Sequence, residues 1–154
     1  MKPTFQIILV KLDNNKNIYI LNTFMKFVLR IKEEIPRDRL KELGFDGIIE
    51  KDGNTLVIYD KDKLKLEITD KPENVEDKAL VLSKPYYRAK AKFVILRYMP
   101  LSIREIHQYK SPVLIDGIND ISLYPKVESM KPWGIITEDK NFVDMIRKII
   151  NKSK

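Results

Sequence analysis

The sequence predicts an α+β domain of mixed α/β character, and three observations lead there. Short runs rich in Ile, Val and Leu, such as FQIILVKL (5–12) and TLVIY (55–59), are bounded by turn-forming residues, which is the pattern of strands. Other stretches space their apolar residues three and four apart, which is the pattern of an amphipathic helix. Both patterns recur along a chain of 154 residues that is 44% hydrophobic and 33% charged, enough apolar material for a real core.

The elements follow in order. FQIILVKL reads as a first strand, and DNNKN (13–17) supplies a polar turn. Residues 18–21 are strand-like, but Phe24, Phe27, Val28, Ile31 and Ile35 fall at helical spacing and predict a helix from about Asn22. PRDRLKELGF (36–45) predicts a short helix, with Pro36 at its first turn, Leu40 and Leu43 on one face and Gly44 at its C-terminal end. GIIEKDGNTLVIYDKDKLKLEIT (47–69) reads as a three-stranded meander turning at Asp52-Gly53 and at Asp60-Lys61-Asp62. The charged loop 71–78, which contains Pro72, is the best boundary in a single domain 1–154, dividing it into lobes 1–70 and 79–154.

The second half predicts β-α-β-β-β-β-α. ALVLS (79–83) is a strand. For 86–98 two readings compete. Arg88, Lys90 and Lys92 alternate with Tyr87, Ala89, Ala91 and Phe93, as on a strand with a basic outer face. Ser83 followed by Pro85 looks instead like a helix start, and helix is the preferred reading. LSIREIH (101–107) is read as a strand, with a short helix second because Ser102 and Glu105 have capping-box spacing. PVLID and DISLYP are read as strands paired around Asp116-Gly117-Ile118-Asn119, and GIIT as a last strand. Thr137 or Asp139 then caps a final helix bearing Phe142, Met145, Ile146 and Ile149 on one side, ahead of a solvated NKSK tail.

Composition excludes several kinds of chemistry. The chain has no cysteine, so disulfides and thiolate metal sites are ruled out. Its one histidine, His107, leaves histidine-assisted nucleophilic catalysis a single base to rest on. No stretch approaches the roughly 18–20 apolar residues of a membrane helix, and MKPTFQIILVKL reads as a strand rather than a signal peptide, so the expected location is the cytoplasm. Lysine, glutamate and isoleucine are abundant and glutamine is scarce, a bias shared by many thermophile proteins. With only five glycines, all in scattered positions, the chain shows no glycine-rich nucleotide loop, and no cofactor is implied.

The charge distribution is the strongest signal. Residues 1–83 carry 15 basic and 15 acidic side chains, and 113–154 carry 7 and 6. Residues 84–112 carry 7 basic side chains and only Glu105 against them, so +6 of the net +7 lies in this one segment. Like charges this close repel one another, and a polyanion would relieve the repulsion while releasing its own counterions. Lys84, Arg88, Lys90, Lys92, Arg97, Arg104 and Lys110 are the expected phosphate contacts, with Tyr86 as a stacking face for an unpaired base. The segment 84–110 thus predicts a non-enzymatic nucleic-acid-binding accessory or regulatory protein. A protein–protein assembly subunit or homo-oligomer is the alternative.

Two further constellations carry weaker chemistry. Asp60 and Asp62, joined by Asp116 or Asp120, could hold a divalent cation in a small phosphotransfer enzyme, but Asp-Lys-Asp is also an ordinary hairpin turn. His107, Lys110 and Asp116 distantly resemble the His-x-Lys and Asp arrangement of the phospholipase D family, in which histidine attacks phosphorus and lysine binds its oxygens. The spacing departs from that pattern, no Gly-Ser pair follows Asp116, and the family's second histidine is missing. Trp133, between Pro132 and Gly134, is expected to anchor the core.

Overall fold

A computed structural model of the chain describes residues 7–12, 17–22, 25–59, 62–88, 90–99 and 103–152. Strands β1 (Ile7–Leu12) and β2 (Asn17–Asn22) pair antiparallel as a two-stranded sheet of their own. Then come β3 (Lys26–Arg30), α1 (Arg37–Glu42), β4 (Gly47–Ile49), β5 (Thr55–Tyr59), β6 (Lys63–Thr69), β7 (Ala79–Leu82) and β8 (Phe93–Arg97). They are followed by α2 (Ile103–Ile106), β9 (Val113–Asp116), a 3-10 turn (Ile121–Leu123), α3 (Tyr124–Met130), β10 (Gly134–Thr137) and α4 (Phe142–Lys152).

The eight strands β3 to β10 close into a barrel in the order β10-β3-β4-β5-β6-β7-β8-β9. Only β5 runs against its neighbours; every other adjacent pair is parallel. The expected α+β layout of two halves is therefore replaced by one closed barrel with a few short helices outside it. Closure comes from a pairing remote in sequence, β10 with β3, which sets Ile135 beside Phe27. Local periodicity carries no information about such pairings.

One hydrophobic cluster draws a residue from every barrel strand, which can only be the interior: Val28, Ile49, Leu56, Ile95, Leu114 and Ile136, completed by Leu66 and Ala79. An eight-stranded barrel has just enough room for such side chains. Trp133 packs edge-on against Phe93 with ring centroids 4.9 Å apart, filling the N-terminal end of the barrel as the expected anchor. Gly134 is required by close approach: a Cβ there would lie 2.7 Å from the Lys26 carbonyl oxygen on β3. Outside, α2, α3 and α4 cover one side of the wall, burying Ile106, Val127, Met130, Phe142 and Ile146. A second outer cluster sets Leu40 and Leu43 near α1 against Leu29, Ile48, Val57 and Val143.

Several local expectations hold. α1 ends at Gly44 with φ +89°, and Leu40 and Leu43 are buried. The meander is β4-β5-β6, with Gly53 at φ +74° in its first turn. β7, β9 and β10 fall where strands were expected, and Asp139 caps the last helix by accepting a hydrogen bond from the Asn141 N–H (2.9 Å).

Four local expectations fail. The helix predicted from Asn22 is strand β3, because a strand buried on both faces reads as a continuous apolar run that mimics helical spacing. The described residues 86–88 and 90–92 are irregular and 93–97 form strand β8, so the preferred helix over 86–98 does not form. LSIREIH contains α2 rather than a strand, and DISLYP is a 3-10 turn running into α3. There Asp120 accepts from the Ser122 N–H (2.9 Å) and Pro125 stands in the first turn of α3, both helix-start signals. Phe24, the turn at 13–16, Asp60, Lys61, Ala89, Ser102 and the tail at 153–154 lie outside the described residues.

Burial pushes the Glu128 carboxyl pKa up, opposed by Lys131 and by a hydrogen bond with Tyr124. The folded chain therefore keeps the Glu128 proton to higher pH than the unfolded chain does. The stability this contributes is present at acid pH and lost as pH rises through the elevated carboxyl range. Glu128→Gln should flatten that part of the stability–pH curve in urea titrations from pH 4 to 7.

Candidate nucleic-acid interface

The basic segment leaves β7 at the C-terminal end of the barrel and returns to β8 at the N-terminal end, so it crosses the outer wall, with no helix among its described residues. Contacts to the chain between α2 and β9 hold this crossover down. The Tyr86 N–H donates to the Tyr109 hydroxyl (3.2 Å), and the rings of Tyr87 and Tyr109 lie 4.8 Å apart. The Ser111 hydroxyl donates to the Ala91 carbonyl, and the Lys92 N–H donates to the Lys78 carbonyl (2.9 Å). Burial raises the Tyr109 hydroxyl pKa, and the Tyr86 N–H opposes that rise.

Pinned this way, the crossover keeps the alternation seen in the sequence although it is not a strand. Ala91 is buried and Tyr87 half-buried, while Arg88, Lys90 and Lys92 are exposed. The Ala91–Ser111 contact sets Lys110 next to this stretch. Arg104 projects from α2, farther along the same side of the barrel.

Not all of the expected residues come together. Lys84 and Tyr86 lie where the chain leaves β7, and Arg97 ends β8, so these three belong to the C-terminal end of the barrel. Lys92 and Lys110 lie toward the N-terminal end, before β8 and β9. Arg88 and Lys90 stand between them on the wall. Tyr86 is 44% exposed, an available aromatic face. All seven cations are exposed, and none of them forms an ion pair among the described residues. The salt bridges that do form involve other residues, for example Lys78–Glu67 (3.4 Å) and Lys65–Glu50 (3.7 Å). Among the described residues, no carboxylate from a distant segment pairs with these cations.

The weaker constellations come apart. Asp62 precedes β6 at the N-terminal end of the barrel, whereas Asp116 ends β9 at the C-terminal end, where it is bonded to Arg30. The two cannot share a cation. No group of three potential ligands that could hold a metal ion is present among the described residues. His107, near Pro112 and Trp133 at the N-terminal end, is likewise a barrel length from Asp116, so the phospholipase D arrangement is not assembled.

Arg30 is the charged residue the sequence reading missed. Once β3 is a strand, Arg30 follows Val28 by two and inherits its inward register. The false helical spacing hid that parity. No helix among the described residues is long and apolar enough to cross a membrane. No family model matches the chain, and no match emerged among curated proteins or solved structures.

Proposed function

We propose that this chain is a cytoplasmic, non-enzymatic nucleic-acid-binding accessory protein that uses the outer wall of its barrel formed by 84–92 and 104–110. One observation carries this reading: the six cations of those two stretches, Lys84, Arg88, Lys90, Lys92, Arg104 and Lys110, are exposed and without an ion pair among the described residues. Such a set costs self-repulsion in the free protein, and a phosphate backbone would remove that cost. Arg88, Lys90, Lys92 and Lys110 supply phosphate contacts, and Tyr86 supplies a stacking face at one end.

The wall offers a length to reason with. The five residues of β8 span about 17 Å at ~3.3 Å per residue. Successive phosphates on one strand advance about 3.4 Å along a duplex, so four or five of them match the wall. Fluorescence anisotropy with single- and double-stranded DNA and RNA, run across a salt series, tests this. The expected result is a log–log slope of affinity on salt of about −4 for the preferred nucleic acid. A slope near zero, with a defined oligomer by light scattering, would move the assignment to an assembly subunit.

A further inference from the structure

We infer that the C-terminal mouth of the barrel is a binding site for a phosphate group, built from Arg97 and Arg30 around Asp116. Seven of the eight barrel strands point their C-terminal ends to this mouth. In parallel barrels that end carries the ligand chemistry, because the loops leaving the strands vary without disturbing the wall.

The residues at this end follow from strand alternation. Val28, Ile95 and Leu114 belong to the interior cluster. Two positions further on, in the same inward register, stand Arg30, Arg97 and Asp116. An apolar interior is thus topped by a charged layer. Arg97 and Asp116 are register partners on adjacent strands, and the Tyr98 N–H donates to the Asp116 carbonyl (2.9 Å).

Arg30 starts farther away, because β10 separates β3 from β9. Its guanidinium nevertheless donates to Asp116 Oδ2 at 2.7 Å, reaching past β10. The other carboxylate oxygen, Oδ1, accepts from the Gly117 N–H at 2.8 Å. Asp116 is held from both sides, and it brings the Arg30 guanidinium to the side of the mouth where Arg97 stands. The side chains of Arg30 and Asp116 are only 30% and 29% exposed, so the pair lies at the lip and not out in solvent.

The trio carries a net charge of +1. Arg97 is exposed and has no hydrogen-bond or ion-pair partner among the described residues. A guanidinium presents its donors as a planar fork that fits two oxygens of a phosphate, and Lys does so less well. The interior is full of side chains, so the ligand occupies the rim, either as free phosphate or as the terminal phosphate of a larger molecule. Next to Arg97 on the wall is β7, and a groove of about 620 Å³ between Asp70, Pro72, Ser83, Lys84 and Tyr86 has room for the rest of such a molecule. Asp116 acts here as a positioning residue for Arg30, while Arg97 and Arg30 meet the ligand.

The test uses the full chain with inorganic phosphate in one arm and a nucleoside monophosphate in the other, at constant ionic strength set with chloride. Amide chemical-shift titration reads both location and affinity. The expected result is a perturbation centred on Arg97, Tyr98 and Gly117, with affinity at least tenfold lower in Arg97→Gln and unchanged in Lys41→Gln, an exposed position on α1. Asp116→Asn should also weaken phosphate binding, and the melting temperatures of both variants report that each is folded. Arg97-dependent binding in either arm supports the site, and the tighter arm names the source of the phosphate. Shifts confined to residues 88–92 and 110, or equal affinity in wild type and Arg97→Gln, would overturn it. The wall's phosphate contacts Arg88, Lys90, Lys92 and Lys110 are not among the mouth residues, so a failure at one place is distinguishable from a failure at the other.

Discussion

Phe93→Ala should destabilise the protein by about 3–5 kcal/mol, with the urea midpoint falling and the slope of the transition unchanged. Phe93 is 5% exposed and stands in the interior register of β8, at its N-terminal end. Truncation removes a large buried ring and leaves a hole next to Trp133, whose ring loses its edge-on partner at 4.9 Å. The hole cannot collapse easily. The backbones around it are tied into a closed hydrogen-bonded ring, and β8 is paired on both sides, to β7 and to β9.

Against a usual total of about 5–15 kcal/mol, this is a large fraction, enough to leave a marginal domain partly unfolded at 37 °C. Trp133→Phe, which keeps an aromatic plug, should cost markedly less. The exposed Tyr86→Ala should stay within about 0.5 kcal/mol. If Phe93→Ala cost under about 1 kcal/mol, the barrel would not be packed at that end.

The same residues show how much of this fold the sequence discloses. FVIL at 93–96 is plainly a buried apolar run, and it is strand β8. Which face of it turns inward is decided by closure, because in a strand covered on both sides Val94 and Leu96 are as apolar as Phe93 and Ile95. Val94 and Leu96 lie under the helical layer, Phe93 and Ile95 in the barrel. The meander and α1 were legible because Asp52-Gly53 and Gly44 require special backbone angles that are marked locally. The ring was not, since Gly134 pairs with Lys26 across more than a hundred residues and nothing in either tetrapeptide states that partner.

The site divides along the same line. A charge surplus in 84–110 needs no fold to be counted, and the structure leaves those cations exposed. The mouth trio was invisible because Arg30, Arg97 and Asp116 come from three separate strands, and the patterns around both Arg30 and Arg97 favour a helix.

The second large effect belongs to the triple variant Arg88→Glu/Lys90→Glu/Lys92→Glu. It is expected to lower affinity for nucleic acid by at least about a hundredfold at low salt and to abolish retention on heparin. Three attractive contacts become three repulsions, a change of six charge units on a short stretch of wall. Each lost phosphate contact also takes about one unit off the salt slope, so the slope should fall from about −4 to about −1.

The melting temperature should hold, because none of the three side chains is buried or paired within the described residues, and exposed positions of that kind seldom move stability by more than about 0.5 kcal/mol. Stability should even rise slightly at low salt: the three glutamates still repel one another, but the repulsion of each position by Lys110 turns into attraction. That sign distinguishes a surface poised for a polyanion from an ordinary solvated face, where balanced charges would make the reversal destabilising. Retention that survives the three reversals would mean that the wall is not where polyanions bind.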